Sequence, residues 1–232
     1  MLNIVFVIIE AGCDIMNISK TWNWEKNMNE EWLMPSQESF YFANIWKAQN
    51  KTRLLDLGCG VGRHSMLFYD YGFNVTACDI TPYAIEYITN WQKERKISFP
   101  IIKCDMLDMP FKDNSFDGIY AYHVLSHTNL EGFKKLFDKI YDILKPNGEI
   151  YFDVLSKKCW LYNESNFPKL DSNTILSKAD NEYDIPHICF DFDELITILD
   201  KFKIVNIKEV HQYDKTKMDN NEIHFYVLAR KK

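Results

Sequence analysis

The sequence predicts a doubly wound α/β fold, and three observations predict it. Short apolar runs of strand length alternate with helical segments between residues 51 and 202, the pattern of parallel strands joined by crossover helices. The first of these runs ends in a glycine turn, Gly58-Cys59-Gly60-Val61-Gly62. Two alternating segments near the C-terminus have no helix between them and predict an antiparallel pair.

The elements follow in order. Residues 30–48 read as a helix broken near Pro35. Residues 51–57 form a buried strand, and 61–71 a helix stopped by Gly72. A second strand spans 74–79. Pro82 suits the first turn of a helix running to about 96. Strands follow at 101–104 and 117–122. Residues 130–144 are amphipathic and stop at Lys145-Pro146-Asn147-Gly148, ahead of a fifth strand at 149–155. Residues 156–190 are polar with scattered aromatics and read as a long insertion or lid. Asp191 caps a helix through residue 202 whose face carries Leu195, Ile198 and Leu199. Residues 204–210 and 224–229 make the final pair.

With 232 residues, one domain over 21–232 is expected, with a core at about 50–155 and the lid and last strands at 156–232. Residues 1–20 read as a leader. Met1–Ile9 is too short to span a bilayer and lacks a basic flank, and Met16 is an alternative start. Basic residues number 27 against 33 acidic ones, which argues against a partner held by its phosphate backbone. The six cysteines form no C-x-x-C pair and read as reduced thiols of a cytoplasmic protein.

The candidate site begins at the first strand end, Asp56-Leu57-Gly58-Cys59-Gly60-Val61-Gly62-Arg63. A dinucleotide loop would read G-x-G-x-x-G, whereas Arg63 stands at the third glycine position. Asp56 would repel a pyrophosphate. Asp79-Ile80 ends the second strand, where a carboxylate can accept hydrogen bonds from both ribose hydroxyls. Asp105-Met106 ends the third, placing a carboxylate for an adenine amino group and an apolar side chain for its ring. A nucleoside without phosphates and with a cationic centre fits all three positions.

These residues resemble the class I S-adenosylmethionine-dependent methyltransferases. Asp56-x-Gly58-x-Gly60-x-Gly62 is similar to that family's glycine loop, Asp79 to its ribose acid and Cys104-Asp105-Met106 to its adenine segment. Phe116-Asp117-Gly118-Ile119-Tyr120 resembles its fourth strand, and Leu144-Lys145-Pro146-Asn147-Gly148-Glu149 the turn before its fifth. The resemblance implies a Rossmann-like seven-stranded sheet with the last strand antiparallel, a helical N-terminal cover, and S-adenosylmethionine as cofactor, with S-adenosylhomocysteine as product. It also implies a cofactor set of Asp56, Gly58, Gly60, Gly62, Arg63, Asp79, Ile80, Asp105, Met106 and Tyr122. The C-terminal third is similar to the tellurite-resistance branch, in which His211 would match an active-site histidine. Gln212 stands where that branch has arginine.

Methyl transfer needs positioning, exclusion of water and, for a protonated acceptor, a base. His123 is the first candidate, with His187 and His211 placed to line the pocket if residues 156–190 fold back. His123 and His127 are four apart, but no third metal ligand stands near them in sequence, and no metal is expected. A small-molecule acceptor is favoured, with no nucleic acid and no membrane. The alternatives are an RNA or protein methyltransferase, or a cofactor binder without catalysis.

Overall fold

The computed structural model describes residues 22–24, 28–179, 182–213 and 221–232. The leader reading therefore lies outside the described residues. A 3-10 turn, Glu30–Leu33, precedes helix α1 (Gln37–Ala48), as the break at Pro35 predicts. Strand β1 (Arg53–Leu57) leads into α2 (Arg63–Asp70), β2 (Asn74–Asp79), α3 (Pro82–Arg95), β3 (Ile101–Lys103) and β4 (Phe116–Ala121). Then come α4 (Leu130–Ile143), β5 (Leu144–Ser156), the short α5 (Trp160–Asn163), β6 (Thr174–Leu176) and β7 (Pro186–Phe190). Helix α6 (Phe192–Ile198), β8 (Phe202–Tyr213) and β9 (Asn221–Lys231) close the chain.

Strands β3, β2, β1, β4 and β5 lie side by side and parallel. Strand β9 runs antiparallel to β5, and β8 antiparallel to β9. These seven strands are the expected sheet. The sheet nevertheless has nine strands, because the segment read as irregular contributes two. Strand β7 joins the carboxyl end of β5 at Leu155↔Cys189 and Ser156↔Phe190, and β6 pairs antiparallel with β7. Strands of three and five residues are too short to show a clear period in sequence.

Parallel strands covered on both faces need apolar residues on both, and Leu54, Leu55 and Leu57 of β1 are all buried. Leu55 and Leu57 pack with Phe133, Phe137 and Ile140 of α4 on one face, while Leu54 packs with Trp46 and Phe68 on the other. Helix α4 presents Phe133, Leu136, Phe137, Ile140 and Ile143 to the sheet, a spacing of three and four. Asn129 caps it, its side chain accepting from the Gly132 N–H at 2.9 Å. Asp191 and Glu194 form a capping box on α6. That helix ends at Ile198, short of the predicted 202, because Phe202 already belongs to β8.

One buried ion pair ties the ends of the chain together. Glu149 of β5 is fully buried, accepting from Arg230 Nε and Nη2 of β9 (2.9 and 2.6 Å) and from Trp46 Nε1 of α1 (2.8 Å). Strand order reverses between β1 and β4, and the carboxyl ends around that reversal are where ligands of open α/β sheets bind.

Candidate active site

A cavity of about 1070 Å³ opens at these strand ends. At one end it is walled by Gly58 and Gly60 after β1, by Asp79 and Ile80 at the end of β2, and by Asp105 and Met106 after β3. The glycines are required by the path of the chain. Gly58 has φ +66° and Gly60 φ +53°, and a Cβ on Gly58 would lie 2.3 Å from a Val124 methyl. Asp79 braces the loop: its Oδ2 accepts from the Gly60 N–H at 2.9 Å and its Oδ1 from the Thr81 N–H at 2.8 Å. The Thr81 hydroxyl donates to Oδ1 as well. A carboxylate has about four lone-pair sites, so these three bonds leave capacity for about one more. Asp105 Oδ1 accepts from the Leu107 N–H at 2.8 Å.

Among the described residues Arg63 is the one Lys or Arg lining the cavity, against Asp79, Asp105, Asp153, Glu182 and Glu222. That donor set fits S-adenosylmethionine, which brings hydroxyls, an amino group and a cationic sulfur, and it is poorly matched to phosphates. Arg63 Nη1 donates to the Met34 carbonyl at 3.2 Å, and its guanidinium lies over the Trp32 and Tyr122 rings. It thereby holds the N-terminal cover, including Trp24 beside Gly60, against the loop.

Two residues of the expected cofactor set stand outside the cavity. Asp56 is buried behind the loop, its carboxylate accepting from Ser65 Oγ at 2.5 Å, and burial raises its pKa to about 7. Gly62 is the left-handed N-cap of α2, with Ile88 packed where a Cβ would go. Both shape the loop from behind.

The other end of the cavity is built from histidines. His123 follows β4 in the left-handed region, φ +56°, which is uncommon outside glycine. Asp153 of β5 holds it there. The His123 N–H donates to Asp153 Oδ1 at 2.6 Å, and its ring Nδ1 lies 2.9 Å from Oδ2. His224 Nδ1 of β9 lies 2.8 Å from the same Oδ2. The Asp153 carboxylate is buried, a penalty outweighed by the two imidazoles, which hold its pKa well below the usual range. It is therefore ionised and can only accept, so both Nδ1 atoms carry hydrogens and both Nε2 atoms are left for other partners. Burial pushes the His123 pKa down, but Asp153 outweighs it and the net shift is upward.

Beyond this group lie His127, Glu182 and His187, also on the cavity wall. His187 is on β7, and its Nε2 is buried with no hydrogen-bond partner. Glu182 Oε2 lies 3.4 Å from it. His127 sits in the turn after His123, not on a helix, with the Trp22 ring stacked parallel to it.

Tyr122 lines the cavity as expected, and burial raises its phenol to about 12. His211 does not line it. It is half-exposed, 3.8 Å from Glu209, while the next residue, Gln212, faces the cavity. Gln212 and Tyr213, the last two residues of β8, both reach the cavity wall, and His211 lies just before them on the strand. Three residues were not legible as site members: Asp153 reads in sequence as an ordinary polar residue of a strand, and Glu182 and His224 as isolated ones.

The fold and the loop are similar to those of the S-adenosylmethionine-dependent methyltransferases. Residues 55–152 match the family model described as "Methyltransferase domain", so the chain carries such a domain. Among curated proteins, the sterol 24-C-methyltransferase of Aspergillus fumigatus is 33% identical over 119 residues, covering 49% of this chain and 30% of that protein. The chain thus spans about a third of the length of the curated relatives it matches. Among solved structures, an S-adenosylmethionine-dependent methyltransferase of Methanosarcina mazei superposes with a TM-score of 0.65 at 21% identity, over 77% of this chain and 92% of that one. TehB of Haemophilus influenzae superposes with a TM-score of 0.62 at 17% identity, over 90% of this chain and 65% of that one. At those identities the likeness is one of fold.

Proposed function

We propose that the chain transfers a methyl group from S-adenosylmethionine to a small polar acceptor, releasing S-adenosylhomocysteine. The observation that carries this reading is the single cavity joining the strand-end acids to the histidines. Its volume of about 1070 Å³ lies at the upper end of the range for ligand pockets, about 300–1,000 Å³, which suits a cofactor with an acceptor beside it.

The cofactor, when bound, supplies a methyl group activated by a sulfonium leaving group. The chain's residues do the rest. Asp79 and Asp105 orient the nucleoside, and the cover of Trp24, Trp32 and Arg63 excludes water from it. His123 Nε2 takes the acceptor's proton as the acceptor's electron pair forms the bond to carbon and the carbon–sulfur pair departs with sulfur. Asp153 holds the His123 tautomer and stabilises the imidazolium that results. His224 shares that carboxylate and widens the polar wall. Five carboxylates and five histidines around the cavity favour a polar acceptor over a sterol. The described cysteines are free thiols, which suits the cytoplasmic setting included in this reading. No described helix is long and apolar enough to cross a membrane.

The test is calorimetric titration with S-adenosylmethionine on the wild type and on Asp79→Ala. Micromolar binding that Asp79→Ala weakens at least tenfold, about 1.4 kcal/mol, is expected. A folded protein that does not bind the cofactor would refute the reading. Binding without turnover of any small acceptor, but with methylation of RNA or protein, would move the acceptor to a macromolecule.

A further inference from the structure

His127, Glu182 and His187 come from three separate places: the turn after β4, the loop before β7, and β7 itself. We propose that these three side chains bind a divalent transition-metal ion, zinc by the chemistry of the donors, with its open coordination position toward the acceptor end of the cavity. Use of that ion in methyl transfer rests on the function proposed above; its binding does not.

The geometry is the first support. One donor atom from each residue lies within 4.8 Å of the others, and the 3.4 Å between Glu182 Oε2 and His187 Nε2 is about the edge of a tetrahedron with metal bonds near 2.0–2.1 Å. Two imidazoles and one carboxylate, with a position left over, form the donor set of catalytic rather than structural zinc sites. The second support is the state of the His187 ring nitrogen. His187 is 4% exposed, and its Nε2 is buried without a hydrogen-bond partner, in a class of atom that native proteins rarely leave unsatisfied. A metal ion at that nitrogen would satisfy it.

The donor atoms of the neighbouring His123–Asp153–His224 group also lie within 4.8 Å of one another. Its Nδ1 atoms and Asp153 Oδ2 are already spent on one another, which makes it a proton relay instead. The two groups are complementary. An acceptor hydroxyl or thiol coordinated at the open position would have its pKa lowered, and the proton would go to His123 Nε2. The substrate class implied is therefore a metal-ligating oxygen or sulfur nucleophile.

The test is calorimetric titration of chelator-stripped protein with Zn²⁺, repeated on His187→Asn, Glu182→Gln and His127→Gln. Each preparation is also titrated with S-adenosylmethionine as a check of folding. One Zn²⁺ per chain, weakened at least a hundredfold in each variant while cofactor binding stays within threefold, is the expected result. Uptake that survives the substitutions, or no uptake by the wild type, overturns the proposal. If the variants fail to fold, Co²⁺ substitution of the wild type decides. Visible d–d bands without a thiolate charge-transfer band support the site, and a thiolate band assigns the metal to cysteines and overturns it. Cofactor binding without zinc would remove this inference and leave the proposed function standing; zinc without cofactor binding would do the reverse.

Discussion

At the end of the cavity proposed to hold the cofactor, Gly58, Gly60, Asp79, Asp105 and Met106 all fall between residues 58 and 106, each at the end of a successive parallel strand. At the end proposed for the acceptor, His123, His127, Asp153, Glu182, His187 and His224 are spread over a hundred residues and meet only where β4, β5, β7 and β9 converge. The polar atoms of the first end are braced by nearby backbone, as Asp79 is by Gly60 and Thr81. Those of the second are braced by one another across the sheet. The first arrangement can be carried by any sequence with the loop, whereas the second depends on which strands lie adjacent. That difference lets one cofactor site serve many acceptor sites.

The comparison predicts that the two ends can be broken separately. His123→Asn should give the largest effect, lowering kcat by about 10²- to 10⁴-fold with cofactor affinity unchanged, as read from parallel turnover and calorimetry. The wild-type kcat/KM should also rise with pH. His123 is a working base only when neutral, and its pKa lies above the usual 6.5, so the rise should fall above that pH and then level off. A flat profile through that range would remove His123 from the base's role.

Asp56→Asn probes the loop from behind. The native carboxyl titrates at about 7 against 3.8 for a free one. Its protonated form is therefore favoured by folding, and stability falls as pH rises from about 4 to 7. The amide removes that loss. The variant should match the wild type near pH 4 and exceed it at pH 8 by about 2–4 kcal/mol, or several degrees in Tm. Equal melting curves at pH 8 would show Asp56 to be ionised without cost.

Gly58→Ala should blur the separation. Its Cβ would strike Val124, which lies between His123 and His127, and its φ of +66° penalises any side chain. A loss of about 1–3 kcal/mol in stability should come with both weaker cofactor binding and slower turnover. A defect in only one would mean the loop and the histidine turn move independently.

Much of the first end was legible in the sequence. The glycine turn, Asp79 and Asp105-Met106 were readable because each lies at a strand end that hydrophobic runs define. Asp56 shows the limit of that reading. Its position beside the loop is apparent from sequence, but the side of β1 on which its carboxylate lies depends on Ser65 and α2. His211 and Gln212 show the same limit on β8, where a histidine was expected in the cavity and its neighbour is found there. The extra hairpin β6–β7 was hidden by the brevity of its strands, and with it went the environment of His187.

What the sequence determined alone is the order of strands and helices outside residues 156–190, the antiparallel ending and the glycine loop. These follow from hydrophobic period, turn chemistry and the backbone freedom of glycine, all of which act over a few residues. Only the tertiary structure decided that Asp153 would lie between His123 and His224, that Glu182 and His187 would reach His127, and that His211 would face away. Those outcomes depend on the register of strands far apart in the chain, where a shift of one residue turns a side chain to the opposite face.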